Sequence, residues 1–281
     1  STGIVETDIN GKMTAEANLS SEAVAEGEKN GEAVKAPVAV KAGENSNTAA
    51  VVKIRLPENA GETKVEIPVS NAGSGTVAVL IHEDGREEII KTTGLTENGI
   101  QVKLSGDATV KIMDNSKNFE DTRDHWSKEE VNFVAARQLF AGISEDQFGV
   151  SDLMTRGMVN TVLARLAGVD TTSANGEPWY ARGTQWMKEQ GFSDGSNPEG
   201  NVTREQLAAM LYRFSGSPEV KGSLSFTDAH EVSDYAQSAL IWAEQKGILY
   251  GDEKGRVTPG DNAQRAQVAA MLARYLKNIE G

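Results

Sequence analysis

The sequence contains no cysteine, so disulfide bonds and thiolate metal ligands are both excluded. Histidine is scarce as well, since only His82, His125 and His230 occur and they stand far apart in the chain. Without clustered thiol or imidazole groups, neither a metal centre nor a nucleophile–histidine pair is expected. We therefore predict that the chain holds no metal and no cofactor.

Long hydrophobic runs and an excess of positive charge are missing too. No apolar stretch approaches the roughly 20 residues that a membrane span requires. The net charge of −13 at pH 7 disfavours binding to nucleic acid or to an anionic membrane surface. The first residues, STGIVETD, are polar and acidic and do not resemble a secretory signal peptide. We expect the chain to be a processed piece of a larger protein.

Acidic residues are abundant, with 41 Asp and Glu, but abundance does not define a catalytic pair. A glycosidase needs two carboxylates at a set separation, and no motif in this sequence isolates two. We predict no catalytic residue and no enzyme activity within this chain.

The chain has 281 residues, which is long for one domain, and the type of basic residue changes along it. Residues 1–117 hold 10 Lys and 2 Arg, whereas residues 118–281 hold 6 Lys and 10 Arg. The second part therefore prefers the planar, forked cation that suits carboxylate and phosphate groups. We predict a domain boundary in the polar stretch at residues 115–118.

The first part is rich in short β-branched runs. Residues 1–48 form an acidic segment in which residues 20–34 predict a short helix that ends near Gly31. From residue 49 to residue 117, six runs separated by polar or glycine-containing segments predict strands. The Asp84–Gly85 pair predicts a tight hairpin turn, with His82 as a solvated neighbour. We predict a small antiparallel β-sandwich in this part.

The second part contains a helical segment that occurs three times, as TRGMVNTVLAR from Thr155, TREQLAAMLYR from Thr203 and QRAQVAAMLAR from Gln264. Apolar residues stand 3, 6, 7 and 10 places after the first arginine of each copy, which predicts one buried helix face. The second arginine of each copy lies outside that face near the helix C-terminus, where a cation is favourable. We therefore predict that this second set has no part in ligand binding: Arg165, Arg213 and Arg274.

An upstream helix is repeated with each arginine segment. It starts at an aromatic residue, Trp126, Trp179 or Tyr235, and a glycine follows 16 residues later in every copy. One copy cannot bury its apolar face alone, so the three copies are expected to pack together. We place their boundaries at residues 118–170, 171–222 and 223–281.

These copies resemble S-layer homology repeats. The matching residues are Phe119, Asp121, His125, Trp126, Thr155 and Arg156 in the first copy, Trp179, Thr203 and Arg204 in the second, and Phe226, Asp228, Arg265 and Ala266 in the third. The resemblance implies an all-α pseudo-threefold bundle that anchors exported proteins to the bacterial cell wall. Its implied ligand is a secondary cell-wall polysaccharide, often bearing a pyruvate ketal whose carboxylate is recognised in grooves between neighbouring repeats.

The first part resembles the β-rich module found upstream of such repeats in Gram-positive bacteria, a resemblance that names no activity. The predicted fold class is therefore a multidomain α+β chain, with the β module first and the three-repeat bundle second. The predicted location is the extracellular cell surface.

The first arginine of each copy poses a physical question, because a helix N-terminus disfavours a cation. An arginine fork beside free backbone N–H groups would nevertheless receive a carboxylate well. Aromatic side chains could stack on a sugar face, and glycines would admit the ligand. The alternative is that each arginine pairs with an aspartate and that the aromatic residues belong to the core. The candidate ligand-binding residues are Arg156, Arg204, Arg265, Trp126, Trp179, Tyr235, Asp121, Asp228, Gly142, Gly195 and Gly251.

Two other functions remain open at this stage. A calcium-dependent surface-layer or adhesin protein, with self-association in the layer, would use the Asp-rich and Asn-rich loops at residues 193–201 and 251–262. Neither loop has the spacing and final glutamate of an EF-hand. Alternatively, the chain is the C-terminal anchor of a surface glycosidase that lies upstream.

Overall fold

A computed structural model describes residues 4–7 and 13–280, and the chain divides into two compact units. The first unit runs to Asn118 and also includes Asn132–Gln138. The second unit comprises Phe119–Val131 and Leu139–Ile279. The first long segment of the division ends at Asn118, the last residue of the polar stretch at residues 115–118.

Ten strands of the described residues form two open sheets in the first unit. They are β1 (Ile4–Thr7), β2 (Met13–Asn18), β3 (Val34–Lys35), β4 (Ala50–Arg55), β5 (Thr63–Pro68), β6 (Thr76–Ile81), β7 (Glu87–Ile89), β8 (Gly94–Leu95), β9 (Gly99–Leu104) and β10 (Ala108–Asp114). One sheet has the order β1-β2-β4-β10-β6-β7, and the other has the order β3-β5-β9-β8.

All six predicted runs form strands, and the hairpin between β6 and β7 turns at Gly85 with a positive φ of 87°. Helix α1 (Ser21–Asn30) ends at Gly31, as predicted. The acidic segment contributes more than the helix, because β1, β2 and β3 also lie in it. Two strand pairs correct the antiparallel prediction: β2 pairs with β4 and β3 pairs with β5 in parallel.

The core of the first unit takes buried apolar side chains from both sheets. Val52, Ile54 and Val110 of the larger sheet belong to the same cluster as Ile67 and Val102 of the smaller one. The mixed α and β character of the chain is confirmed, and the sandwich packing of the two sheets stays a prediction.

Arg137 is fully buried in the first unit and donates only to backbone carbonyls. Its Nε binds the carbonyl oxygen of Thr93 at 2.8 Å, and its terminal nitrogens bind those of Ser74, Thr76 and Phe133 at 2.7–3.2 Å. Its guanidinium carbon lies 3.5 Å from the centroid of the Phe133 ring. Burial lowers the pKa of Arg137 to about 9, which keeps the side chain charged at neutral pH.

The remaining helices follow the repeated pattern of the sequence. The upstream helices α2 (Lys128–Ala136), α4 (Ala181–Glu189) and α6 (Gln237–Gln245) have 9 residues each. The arginine helices α3 (Arg156–Leu166), α5 (Arg204–Phe214) and α7 (Arg265–Tyr275) have 11 residues each. Each upstream helix begins two residues after its aromatic residue, and each arginine helix begins at its first arginine. Among the described residues, no helix combines the length and apolar character needed to cross a membrane.

The arginine helices are joined at their starts by a closed ring of backbone hydrogen bonds. Met154 donates to the carbonyl of Ala263 at 3.2 Å, Ala263 donates to Val202 at 2.9 Å, and Val202 donates to Met154 at 2.9 Å. All three residues are buried and each lies two positions before its arginine. The ring brings three segments far apart in sequence to one point in the second unit.

The predicted apolar faces of the arginine helices are buried. Val159 and Leu163, Leu207 and Leu211, and Val268 and Leu272 each expose 3% or less of their surface. Burying such side chains is worth roughly 1.5–3 kcal/mol each, so these faces supply much of the stability of the second unit.

Candidate functional site

The first two backbone N–H groups of each arginine helix are already hydrogen-bonded. Arg156 donates to the carbonyl of Gly200 at 2.9 Å, Arg204 donates to Asp261 at 2.9 Å, and Arg265 donates to Asp152 at 2.8 Å. The N–H groups that follow them, at positions 157, 205 and 266, bind further carbonyls of the same loops. The prediction of free N–H groups that receive a carboxylate is therefore wrong, because each loop fills the helix start beside it.

The same loops explain how a cation is tolerated at a helix N-terminus. The Nε of Arg265 donates to the carbonyl of Phe148 at 3.1 Å, and the Nε of Arg204 donates to that of Val257 at 2.9 Å. Arg265 also donates from Nη2 to the carbonyl of Ala141 at 2.6 Å, and its guanidinium lies 4.9 Å from the Phe148 ring centroid. Carbonyl oxygens thus offset the positive end of the helix dipole.

Arg156 differs from its two counterparts. Its Nε is buried without a hydrogen-bond partner, and its Nη2 lies 3.2 Å from Oδ1 of Asp194. Hydrogen bonds from the side chain and backbone of Ser196 lower the pKa of Asp194, and the charges of Arg156 and Arg213 lower it further against the opposing effect of burial. Arg156 is therefore ion-paired with a carboxylate of its own chain.

Two clefts of the second unit each join the first arginine of one copy with the second arginine of another. The Arg204 cleft has a volume of about 530 Å³, and Arg204, Arg274, Trp126 and Tyr250 line it. Its lining also includes Arg256, which is ion-paired with Asp252 at 2.9 Å, and Glu253. The guanidinium of Arg274 lies 4.6 Å from the centroid of the Tyr250 ring. Burial lowers the pKa of Arg204, and the charge of Arg274 lowers it further while Asp261 partly offsets both effects. The two cations are close enough to raise each other's electrostatic energy, which favours an anion in the cleft.

The Arg156 cleft repeats this arrangement one step earlier in the chain. It has a volume of about 330 Å³, and its lining includes Arg156, Arg213, Tyr235 and Asp194. In both clefts the first arginine begins the arginine helix of one copy and the second arginine lies near the end of the arginine helix of the next copy. An exposed aromatic residue comes from the remaining copy, Trp126 in the Arg204 cleft and Tyr235 in the Arg156 cleft. The difference is that an aspartate takes the place of Tyr250.

The prediction that the second set of arginines has no part in ligand binding stays a prediction, but the positions of Arg213 and Arg274 argue against it. Each lies outside the apolar face of its own helix, as predicted, but lines a cleft that begins at the neighbouring helix. The spacing along one helix describes positions around that helix alone, so it could not reveal this neighbour. Arg165 is exposed and donates to the hydroxyl of Thr171 at 3.0 Å.

The predicted aspartates hold loops together. Asp121 accepts hydrogen bonds from the backbone N–H groups of Phe148, Gly149 and Val150 at 2.8–3.0 Å. Burial raises the pKa of Asp121, but these bonds together outweigh it and the pKa lies below the ordinary value. Asp228 is buried and binds the N–H groups of residues 257 and 258 at 2.9 and 2.8 Å. The geometry favours a structural role for both, and their contact with ligand stays a prediction.

The recurrent glycines are explained by space and backbone conformation. A Cβ at Gly142 would lie 2.6 Å from the Phe119 ring, and one at Gly251 would lie 3.2 Å from the Phe226 ring. Gly195 has a positive φ of 73°, a conformation that other residues rarely adopt. Gly251 also lines the Arg204 cleft.

The three predicted aromatic residues are exposed by 50–58% of their surface. Trp126 lines the Arg204 cleft and Tyr235 lines the Arg156 cleft. Trp179 lies at the equivalent place in the second copy, where its ring packs at 5.4 Å from that of Tyr180. Neither of the two clefts includes Trp179 among the described residues that line it.

Residues 118–157 and 225–269 match the family model of the S-layer homology domain. The chain thus has two stretches that match this family, in its first and third copies. S-layer homology domains bind cell-wall polymers and anchor proteins to the cell wall, and the chain is accordingly an extracellular protein of the bacterial cell surface. The matched stretches contain Trp126, Arg156, Tyr235, Tyr250 and Arg265.

Three similar curated proteins have enzyme names and are much longer than this chain. The chain is 27% identical to "Exoglucanase XynX" of Acetivibrio thermocellus over 59% of this chain and 17% of that protein. It is 27% identical to an amylopullulanase of Thermoanaerobacterium thermosulfurigenes over 57% of this chain and 10% of that protein. It is 26% identical to an endoglucanase of Bacillus sp. (strain KSM-635) over 63% of this chain and 21% of that protein. The chain therefore spans about a fifth or less of the length of these relatives.

Proposed function

We propose that the second unit consists of three S-layer homology repeats about a pseudo-threefold axis, and that it anchors non-covalently to a secondary cell-wall polysaccharide. The family model matches the first and third copies. The middle copy has helices of the same lengths and supplies Val202 to the backbone ring. From Gly195 to Arg204 the middle copy spans 9 positions, against 14 from glycine to arginine in the other two copies, so we assign it as a repeat with a shortened loop.

The ligand group that we assign to the clefts is a carboxylate on a sugar, such as a ketal-linked pyruvate. The observation that carries this assignment is the Arg204 cleft, which joins Arg204 and Arg274 with the exposed ring of Trp126. Guanidinium groups bind carboxylates through paired hydrogen bonds, and an exposed aromatic ring offers an apolar face to sugar C–H groups. Within the described residues, Arg204 donates only from its Nε, so its terminal nitrogens are available to a ligand.

The chain's own role in this proposal is binding and not catalysis. The relatives named above are glycosidases several times longer than this chain. We infer that the chain serves as the wall anchor of a larger surface protein. The second candidate is that this larger protein is a surface glycosidase whose catalytic part lies upstream of the chain. The β-rich first unit has no assigned ligand.

The test is sedimentation of the full chain with purified cell walls before and after chemical removal of ketal-linked pyruvate. Wild-type protein should bind intact walls and lose binding when the carboxylate is removed. Arg204→Ala should weaken binding by about 1.5–3 kcal/mol, the typical worth of hydrogen bonds to a charged group. Arg204→Lys should weaken it less, because lysine keeps the charge and loses the fork.

The matched control is Arg182→Ala, which removes an exposed arginine of helix α4 and should bind like wild type. A chelator should leave binding unchanged, whereas loss of binding in chelator would support the calcium-dependent alternative. Equal binding to walls with and without pyruvate would overturn the assignment of the carboxylate.

A further inference from the structure

The residue immediately before each recurrent glycine either contacts the first arginine of another copy or lines the same cleft as that arginine. These residues are Ala141, Asp194 and Tyr250, and they come from equivalent loops. The three loops occupy equivalent places in the repeats, but the contacts of these three residues with the nearby arginines differ.

In the loop that contains Ala141, backbone carbonyls bind the side chain of Arg265, the first arginine of the third copy. Its carbonyl accepts a hydrogen bond from Nη2 of Arg265, whose Nε is bound to the carbonyl of Phe148. The rings of Phe140 and Phe148 lie 5.9 and 4.9 Å from the Arg265 guanidinium. The contacts of Arg265 therefore stabilise the fold.

Asp194 places a carboxylate of the protein against Arg156. Its Oδ1 lies 3.2 Å from Nη2 of Arg156 and accepts hydrogen bonds from the N–H and hydroxyl of Ser196 at 2.9 and 2.7 Å. Those two bonds aim the carboxylate at the arginine. The Asp194 side chain is 70% exposed, so the ion pair adds little to stability, but an arriving anion would meet like charge.

Tyr250 adds an aromatic wall without adding negative charge. Its ring lies against Arg274, which also donates from Nη1 to the carbonyl of Ile248 at 3.4 Å. Arg204 lines the same cleft, as do Asp252 and Glu253, and Asp252 is ion-paired with Arg256. A carboxylate at position 250 would add a negative charge next to Arg274, as Asp194 does next to Arg156.

We propose that the residue before the recurrent glycine decides which cleft takes a carboxylate ligand. Tyr250 keeps the Arg204 cleft open to an anion, whereas Asp194 occupies the Arg156 cleft as an internal competitor. This inference depends on the proposed function and adds that the clefts are unequal by virtue of one side chain.

The experiment measures calorimetric binding of a methyl hexopyranoside that carries a 4,6-linked pyruvate ketal, with its methyl ester as the uncharged probe. The full chain is used throughout. Arg204→Ala should lower affinity for the acid at least about tenfold and leave the weak response to the ester unchanged. Adding Asp194→Asn to Arg204→Ala should restore affinity about tenfold, because the amide still accepts from Ser196 but no longer repels the ligand.

Two further variants locate the restored binding. Adding Arg156→Ala to the double variant should abolish it, and Tyr250→Asp in the wild-type chain should weaken binding about tenfold. Asp170→Asn, at an exposed aspartate that binds only Thr172, is the charge-matched control and should have no effect. Thermal melts of each variant show that the protein tested is folded.

The outcomes separate the two proposals. If Arg204→Ala and Arg156→Ala leave binding of the acid intact, the carboxylate function itself fails. If Arg204→Ala abolishes binding, but Asp194→Asn restores none and Tyr250→Asp binds like wild type, the function stands and the role of the residue before the glycine is overturned. The Tyr250→Asp arm decides the question even if the Asp194 variant does not fold.

Discussion

Arg265 donates from Nε to the carbonyl of Phe148 at 3.1 Å across 117 residues of sequence. The bond joins the last arginine helix to the loop of the first copy. Equivalent bonds join Arg204 to the loop of the third copy at Val257, and backbone bonds join Arg156 to the loop of the second. Each copy therefore needs the next one to satisfy the start of its arginine helix.

Replacement of Arg265 by Met should destabilise the second unit by about 2–3 kcal/mol. The change removes charge-assisted hydrogen bonds and leaves the carbonyls of Phe148 and Ala141 without their donor. Urea unfolding followed by tryptophan fluorescence measures this, because all four tryptophans lie in the second unit. Arg182→Met, which breaks only an exposed ion pair with Glu177, should shift the midpoint little. Equal midpoints for the two variants would contradict the structural role of Arg265.

Arg274→Ala should weaken binding of the pyruvate-ketal probe about tenfold, because Arg274 lines the Arg204 cleft. Arg165→Ala is the matched control, since Arg165 holds the same position in the first arginine helix but is exposed and bound to Thr171. Its effect should be less than about twofold. Calorimetric titration of both variants compares them directly, and similar affinities would mean that the C-terminal arginines do not contact the ligand.

Asp121→Asn should lower the free energy of unfolding by an amount that depends on pH. The pKa of Asp121 is lower in the folded protein than the ordinary aspartate value of 3.8. Its ionised form therefore contributes stability that is fully present above about pH 4 and is lost as pH falls through the lower folded value. Chemical unfolding at pH 7 and at pH 3 should show a large difference between wild type and variant at pH 7 and a smaller one at pH 3.

The control for that experiment is Asp124→Asn, an exposed aspartate three residues away. Its difference from wild type should be small at both pH values. If Asp121→Asn lowered the free energy of unfolding by the same amount at every pH, the carboxylate charge would not be what stabilises the loop at residues 148–150.

Arg137→Met should destabilise the first unit by about 3 kcal/mol, because it leaves buried carbonyls at positions 74, 76 and 93 without donors. Hydrogen exchange of strands β6 and β9 measures the effect, since the first unit contains no tryptophan. Arg123→Met, at an exposed position, is the control. Unchanged protection of these strands would show that the carbonyls find other partners.

The sequence by itself determined the elements that depend on local chemistry. The threefold spacing located all three arginine helices to within about one residue, since an apolar face at a 3.6-residue period and a polar N-cap act within one turn. The alternating runs located six strands for the same reason. Strands β1, β2, β3 and β8 were missed because long-range pairing, and not their own composition, makes them strands.

Only the tertiary structure decided which side chains share a cleft. Arg204 and Arg274 stand 70 positions apart and Trp126 lies a further 78 before Arg204, so no local pattern links them. Their meeting follows from the backbone ring of Met154, Val202 and Ala263, which sets each arginine helix beside the end of the next. The sequence predicted free N–H groups at the starts of the arginine helices. In the structure the first two of each helix are hydrogen-bonded to the neighbouring loop, because a buried donor must find an acceptor.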